Sequence, residues 1–267
     1  MNTQPHKITV VTVCYNAAQF IEKTLQSVVN QTYPDMEYIV IDGGSTDGTV
    51  DIIRKYSDRI TYWVSEPDGG IYQAMNKAVK HATGDYVNFM NAGDVFFDNR
   101  VLEEVFAGKR YDEDVIYGSN LIHFSGGYKR FHPFKVDVID HAMPFCHQSS
   151  FTRTSLLKER PFNTEFRRLA DYVFFRKLYE DGGSFRRVSK YISIYDAYGV
   201  STEMTLDAYA ENCRARHWKP TVKDFLRLWV WTKYRRMRYC KLRFLISGRL
   251  KPQKYSLTRD RFHQLED

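Results

Sequence analysis

The chain has 267 residues, 43% of them hydrophobic and 15% aromatic, and a formal net charge of +7. That length can bury a full core, either as one α/β domain with an appendage or as two domains. Cys14, Cys146, Cys213 and Cys240 lie far apart with no Cys-x-x-Cys pair, which argues against a disulfide framework or zinc knuckle and suits a reducing compartment. Residues 1–7 are polar and lead straight into an apolar run, so no signal peptide is expected, and no apolar stretch reaches the roughly 18 residues of a membrane span. The charge is local. Residues 225–259 hold 11 Lys or Arg and no Asp or Glu, so +7 less 11 leaves −4 for the rest.

In chain order, residues 8–14 (ITVVTVC) are apolar and β-branched, as expected of a strand covered on both faces. Asn16, with Gln19 three residues on, has the spacing of a capping box, and Ile21, Leu25, Val28 and Val29 follow at helical spacing. A strand over 37–41, a polar turn and a helix carrying Val50, Ile53 and Tyr56 come next. A third strand (60–64) leads through Pro67-Asp68-Gly69-Gly70 into a helix with Ile71, Met75, Ala78, Val79 and Ala82 on one side. A strand over 86–90 then ends at Asn91-Ala92-Gly93-Asp94. This β-α-β-α-β-α-β order predicts a parallel sheet with right-handed crossovers, a nucleotide-binding half over residues 1–98. Beyond it, 115–122 and 127–131 read as shorter strands, 143–152 as a polar loop, 170–180 as a helix and 185–195 as strand. Helices are expected near 203–217 and 222–245.

Four strand ends carry polar or glycine residues: Tyr15-Asn16, Asp42-Gly43-Gly44-Ser45, Glu66-Pro67-Asp68-Gly69-Gly70 and Asn91-Ala92-Gly93-Asp94. In an open α/β sheet, ligands bind outside the carboxyl ends of the strands, so these four ends predict one site. The Asp42 turn is neither a GxGxxG nor a Walker loop. Its alternatives are a base- or ribose-binding strand tip and a plain βα turn. Asp94 is a hard oxygen donor of the kind Mg²⁺ or Mn²⁺ accepts when substrate phosphates complete the shell.

The ordered motifs Thr12-Val13-Cys14-Tyr15-Asn16, Ile41-Asp42-Gly43-Gly44-Ser45-Thr46-Asp47-Gly48-Thr49, Glu66-Pro67-Asp68-Gly69-Gly70-Ile71-Tyr72-Gln73-Ala74-Met75-Asn76-Lys77-Ala78, Ala82-Thr83-Gly84-Asp85-Tyr86 and Asn91-Ala92-Gly93-Asp94 resemble the family 2 glycosyltransferases of GT-A fold. Among these the chain is similar to bacterial enzymes of polysaccharide assembly, the colanic-acid type included. The resemblance covers residues 7–200, more weakly through His147-Gln148 and Ala170-Asp171-Tyr172. It implies a Rossmann-like, mostly parallel sheet flanked by helices, with residues 1–218 as the transferase domain and 99–218 as its acceptor half. It also implies donor contacts from Thr12, Tyr15, Asn16, Asp42, Asp68, Gly69, Asn76, Asn91, His147 and Gln148, with a divalent metal (Mg²⁺ or Mn²⁺) and the donor diphosphate at Asp94. Asp171 matches the catalytic base of an inverting transfer from a nucleotide-sugar, UDP-linked by expectation, to a lipid-linked or other saccharide hydroxyl. Asn91, Gly93 and Ala170 stand where many members carry acids. For His147 the residue alone fits a buried structural role equally well. Residues 198–201 resemble a segment that closes over the donor.

The basic segment 219–267 interleaves Trp229, Trp231, Tyr234 and Tyr239 with Arg and Lys around an apolar helical stripe. Such a helix suits an anionic membrane surface, which places the protein on the cytoplasmic face of the membrane. A helix packed on the main domain is the alternative, and nucleic acid accounts for the charge alone. Two other functions fit the fold class. A nucleotidyltransferase wants a basic, Gly-rich first loop, and residues 12–19 hold no Lys, Arg or Gly. A non-catalytic nucleotide-sugar-binding scaffold draws on the missing acids.

Overall fold

The computed structural model describes residues 5–124, 127–196 and 206–218. The basic segment 219–267 and the 198–201 loop expected to close over the donor lie outside these residues. The chain divides into two compact units: Met1–Glu203 with Glu211–Trp218, and Met204–Ala210 with Lys219–Asp267. Of the second unit, only 206–210, part of a helix, are described.

The first unit is built on one nine-stranded sheet. In chain order its elements are β1 (Ile8–Cys14), α1 (Ile21–Val29), β2 (Met36–Asp42), α2 (Thr49–Arg54), β3 (Tyr62–Ser65), α3 (Ile71–His81), β4 (Tyr86–Phe89), β5 (Val95–Phe96), α4 (Val101–Phe106), β6 (Val115–Phe124), β7 (Gly127–Phe131), β8 (Ser150–Arg153), α5 (Thr154–Glu159), α6 (Ala170–Glu180) and β9 (Phe185–Asp196); α7 (Leu206–Ala215) follows. The strand order is β3-β2-β1-β4-β8-β6-β9-β5, with β7 beside β6. β1 pairs in parallel with β2 and β4, and β2 with β3. This is the expected doubly wound half.

β1 shows why these residues make a central strand. All seven are buried, and their alternation divides them between two cores. Ile8 and Val10 pack with Leu25, Val28 and Phe106 on one face of the sheet, while Val11 and Val13 pack with Met75, Ala78 and Phe174 on the other. A residue period of two sends neighbours to opposite faces, so an uninterrupted apolar run is what a strand under two helical layers requires.

Three expectations are corrected. Asn16 does not cap α1. The helix begins at Ile21 behind Phe20 with no side-chain cap, and Asn16 sits in the left-handed region at φ 47°, its amide oxygen accepting from Thr46 N at 3.0 Å. The α3 stripe holds at Met75, Ala78, Val79 and Ala82, which are buried, but not at its start: Ile71 is 41% exposed and Tyr72 is buried instead. Residues 143–152 are not all loop. Ser150–Arg153 form β8, wedged antiparallel between β4 and β6 and tied by Asn88 Nδ2 to the carbonyls of Gln148 and Ser150 at 3.0 and 2.9 Å. Four residues with little apolar character leave no alternation long enough to mark a strand.

Candidate active site

Each parallel strand delivers its last residues to the same rim. At the end of β2, Asp42 is 0% exposed. Its Oδ2 accepts from Gly44 N (3.1 Å), Ser45 N (2.8 Å) and Ser65 Oγ (2.6 Å), and its Oδ1 from Ser45 Oγ (2.5 Å). Burial alone would raise its pKa, but these donors outweigh it and hold the carboxyl below the ordinary value. Through these bonds Asp42 braces the backbone of the turn, whose amides would otherwise lack partners. Next to it, a Cβ on Gly43 would lie 3.0 Å from Asp68 Oδ2, so glycine at 43 lets the Asp68 turn close over the Asp42 turn. Asp68 also caps Gly70 N at 2.8 Å, and Gly69 N donates to the Gln73 side chain.

Tyr15 stands 65% exposed at the β1 end. The turn after it is stitched to the Asp42 loop by Asn16 N to Ser45 Oγ (2.7 Å), Ala17 N to Thr49 Oγ1 (2.8 Å) and Ala18 N to Asp47 Oδ2 (3.0 Å). Two expected donor residues face elsewhere. Thr12 Oγ1 is buried against Tyr38 OH and Met90 O, both at 2.8 Å. Asn76 makes a paired contact with the Phe162 backbone, donating from Nδ2 (2.8 Å) and accepting at Oδ1 (2.9 Å). Both side chains hold the scaffold together.

Beyond β4, the Asn91–Asp94 turn closes with Asp94 N to Asn91 O at 2.9 Å, and Thr24 Oγ1 braces it by donating to Asp94 O at 2.7 Å. Asp94 is 8% exposed. Burial raises its pKa to about 6, only partly opposed by donation from Gln148 and by His147. Gln148 Nε2 donates to Asp94 Oδ2 at 2.9 Å.

His147 directs its other neighbour. Asn91 Nδ2 lies 3.1 Å from His147 Nε2, and His147 Nδ1 lies 2.9 Å from Asp171 Oδ2. With the Asn91 amide as donor, Nε2 accepts and Nδ1 carries the hydrogen to Asp171. Asp171 Oδ1 accepts from Tyr72 OH (2.8 Å) and from Tyr172 N (2.9 Å) at the start of α6. Burial pushes Asp171 up, but His147, Tyr72 and the Tyr172 amide outweigh it and leave the carboxyl below its ordinary value. For His147, burial lowers the pKa and the Asp171 carboxylate more than reverses it. Sequence reasoning missed Tyr72. Its position inside the Asp68–Ala78 motif was the available signal, but a helical tyrosine reads as core.

Asp94 could hold a divalent cation. Among the described residues no group of three or more His, Cys, Asp and Glu is gathered as a metal cage. A single buried carboxylate beside neutral amides fits Mg²⁺ or Mn²⁺ only as part of a shell that a diphosphate and water complete.

A mostly parallel sheet with flanking helices and a polar rim at its carboxyl ends defines the GT-A type of fold. The chain belongs to glycosyl transferase family 2, whose family description matches residues 9–183. It is 33% identical over 165 residues to a PGL/p-HBAD biosynthesis glycosyltransferase of Mycobacterium bovis (strain BCG / Pasteur 1173P2), covering 60% of this chain and 64% of that relative. Among solved structures it is similar to S. aureus TarS 1-349 in complex with UDP-GlcNAc (TM-score 0.63, 22% identity, 78% of this chain and 65% of that one). It is also similar to the mannosyltransferase PcManGT from Pyrobaculum calidifontis in complex with GDP-Man and Mn²⁺ (TM-score 0.56, 22% identity, 72% and 57%). At those identities the two structures speak for the fold. The match spans just under two thirds of that mycobacterial relative's length. Among the described residues, no helix is long and apolar enough to cross a membrane.

Proposed function

We propose that the protein transfers a sugar from a nucleotide-sugar, UDP-linked in the first instance, to a saccharide hydroxyl on a lipid-linked acceptor, with inversion at the anomeric carbon. One observation carries this reading: two consecutive side chains, His147 and Gln148, hold the two carboxylates that such a reaction needs. His147 reaches Asp171 and Gln148 reaches Asp94, each at 2.9 Å.

The roles follow from chemistry. Asp171, held below the ordinary carboxyl pKa, is ionised at neutral pH and takes the proton from the acceptor hydroxyl. That oxygen attacks the anomeric carbon while the carbon–oxygen bond to the diphosphate breaks, and the nucleoside diphosphate leaves. A divalent ion held by Asp94 would neutralise charge on the departing diphosphate. Tyr15, Asp68 and Gly69 line the donor side, with Asn16 and Asp42 shaping its turns. Residues 1–98 form the donor half and 99–218 the acceptor half. We further propose that 219–267 is a basic amphipathic extension lying on the anionic cytoplasmic face of the membrane, in a pathway of surface polysaccharide or glycolipid assembly.

The test is a panel of nucleotide-sugars with Mn²⁺ and membrane-extract acceptors, read by release of nucleoside diphosphate. One donor is expected to turn over, and Asp94→Ala to abolish the turnover. Donor binding without turnover across the panel would replace this reading with a non-catalytic nucleotide-sugar-binding scaffold.

A further inference from the structure

Asp171 receives three hydrogen bonds from three different parts of the chain: Tyr72 on α3, His147 in the segment before β8, and the Tyr172 amide of its own helix. We infer that Tyr72 and His147 are positioning residues that clamp the Asp171 carboxylate and leave one of its lone pairs to receive the acceptor proton. This rests on the reading of Asp171 as the base.

An ionised carboxylate offers about four acceptor positions, two on each oxygen. Oδ1 has both filled, by Tyr72 OH at 2.8 Å and Tyr172 N at 2.9 Å, and Oδ2 has one filled by His147 at 2.9 Å. The remaining position is on Oδ2, so the clamp selects the oxygen and the direction of proton transfer. It also fixes the side chain's rotamer. Asp171 is 14% exposed as a side chain, and without outside donors a short acid at a helix start turns toward the first backbone amides.

Both clamping residues are anchored on the donor side. Tyr72 lies one residue inside α3, directly after Asp68-Gly69-Gly70, and its ring packs against Phe162 with centroids 5.5 Å apart. His147 is oriented by Asn91, three residues before Asp94 in the same turn. Asn91 Oδ1 is buried without a hydrogen-bonding partner, whereas Asn91 Nδ2 is engaged with the imidazole. The turn proposed to carry the diphosphate thereby sets the imidazole, and the imidazole sets the base. Reacting groups held in a defined geometry need no search at the moment of transfer.

The test uses the full chain with Mn²⁺ and UDP-glucose, UDP-N-acetylglucosamine, GDP-mannose and dTDP-rhamnose, water serving as acceptor. Nucleoside diphosphate release is followed with the donor that turns over fastest. Tyr72→Phe removes one hydroxyl and keeps the ring. It is expected to lower kcat by about 10-fold to 100-fold with donor KM within about 2-fold, the split that marks an interaction acting in the transition state. His147→Ala should fall at least as far. His147→Asn, whose amide nitrogen can reproduce the Nδ1 donor, should recover most of the loss, whereas His147→Gln should not. Asp171→Asn is the reference arm. If it keeps wild-type turnover, or if no donor turns over at all, the base reading fails and the clamp with it. If Asp171→Asn is inactive while Tyr72→Phe and His147→Ala keep wild-type kcat, the clamp alone is wrong. A rise in donor KM at unchanged kcat would assign both residues to donor binding and overturn the proposal.

Discussion

Asp94 is a carboxylate held almost entirely out of water, and its replacement by asparagine separates stability from function. Burial raises its pKa from 3.8 to about 6. At 1.36 kcal/mol per pH unit, keeping it ionised at neutral pH costs the ligand-free fold about 3 kcal/mol. The sign follows from the raised value. Stability from the protonated form is fully present below the unfolded pKa of 3.8 and is lost as pH rises through about 6. Asparagine removes the charge and keeps an oxygen for Gln148 Nε2. We predict that Asp94→Asn melts higher than the wild type at pH 8 in EDTA, by up to about 10 °C at 2–4 °C per kcal/mol for a domain of this size. The gap should open between about pH 4 and pH 6 and stay flat above. Adding Mn²⁺ with a nucleoside diphosphate should stabilise the wild type and leave the variant unmoved. Scanning calorimetry across pH measures this directly. A variant that melts at or below the wild type at every pH would refute the buried-charge argument.

Three further predictions concern parts of the chain away from the base. Glu37 behaves oppositely to Asp94: burial alone would raise its pKa, but donation from Thr83, Thr9 and Lys7 brings it from 4.5 down to about 2. Its contribution is therefore present above about pH 4.5 and lost as pH falls through about 2. Glu37→Gln should cost on the order of 3 kcal/mol at neutral pH by urea titration, with the difference shrinking in acid. Gly84→Ala places a Cβ 2.7 Å from Lys7 O, just before β1, and from Thr9 N within it, where backbone must move. It should lower the melting temperature by several degrees, on the order of 1–3 kcal/mol for an overpacked site. Deleting residues 220–267 should abolish co-sedimentation with anionic liposomes, and equal binding of the full and shortened chains would remove the membrane role.

The half of the fold up to Asp94 is legible in the sequence because its information is local: continuous apolar runs make the strands, helical spacing marks α1 and α3, and polar turns mark the rim. The resemblance then singles out Asp94 and Asp171. What stayed hidden depends on contacts between distant residues. Tyr72 and Asp171 are 99 residues apart, and Gln148 and Asp94 are 54 apart, so no window of sequence contains either pair. β8 is four residues long and carries no periodicity of its own, and its neighbours decide that it is a strand. The same dependence explains Asp42. Its place at a strand tip is readable, but the donors that close around it come from the folded turn, from Ser65 and from Cys14 on β1.

In the proposed reaction Asp171 acts as the base on a donor seated at the Asp94 rim. Donor affinity by titration calorimetry, paired with transfer rate for wild type and Asp171→Asn, tests it most directly. We predict unchanged donor affinity and a loss of transfer on the order of 100-fold to 10,000-fold, the usual contribution of general base catalysis. Transfer at the wild-type rate with Asp171→Asn would contradict the account.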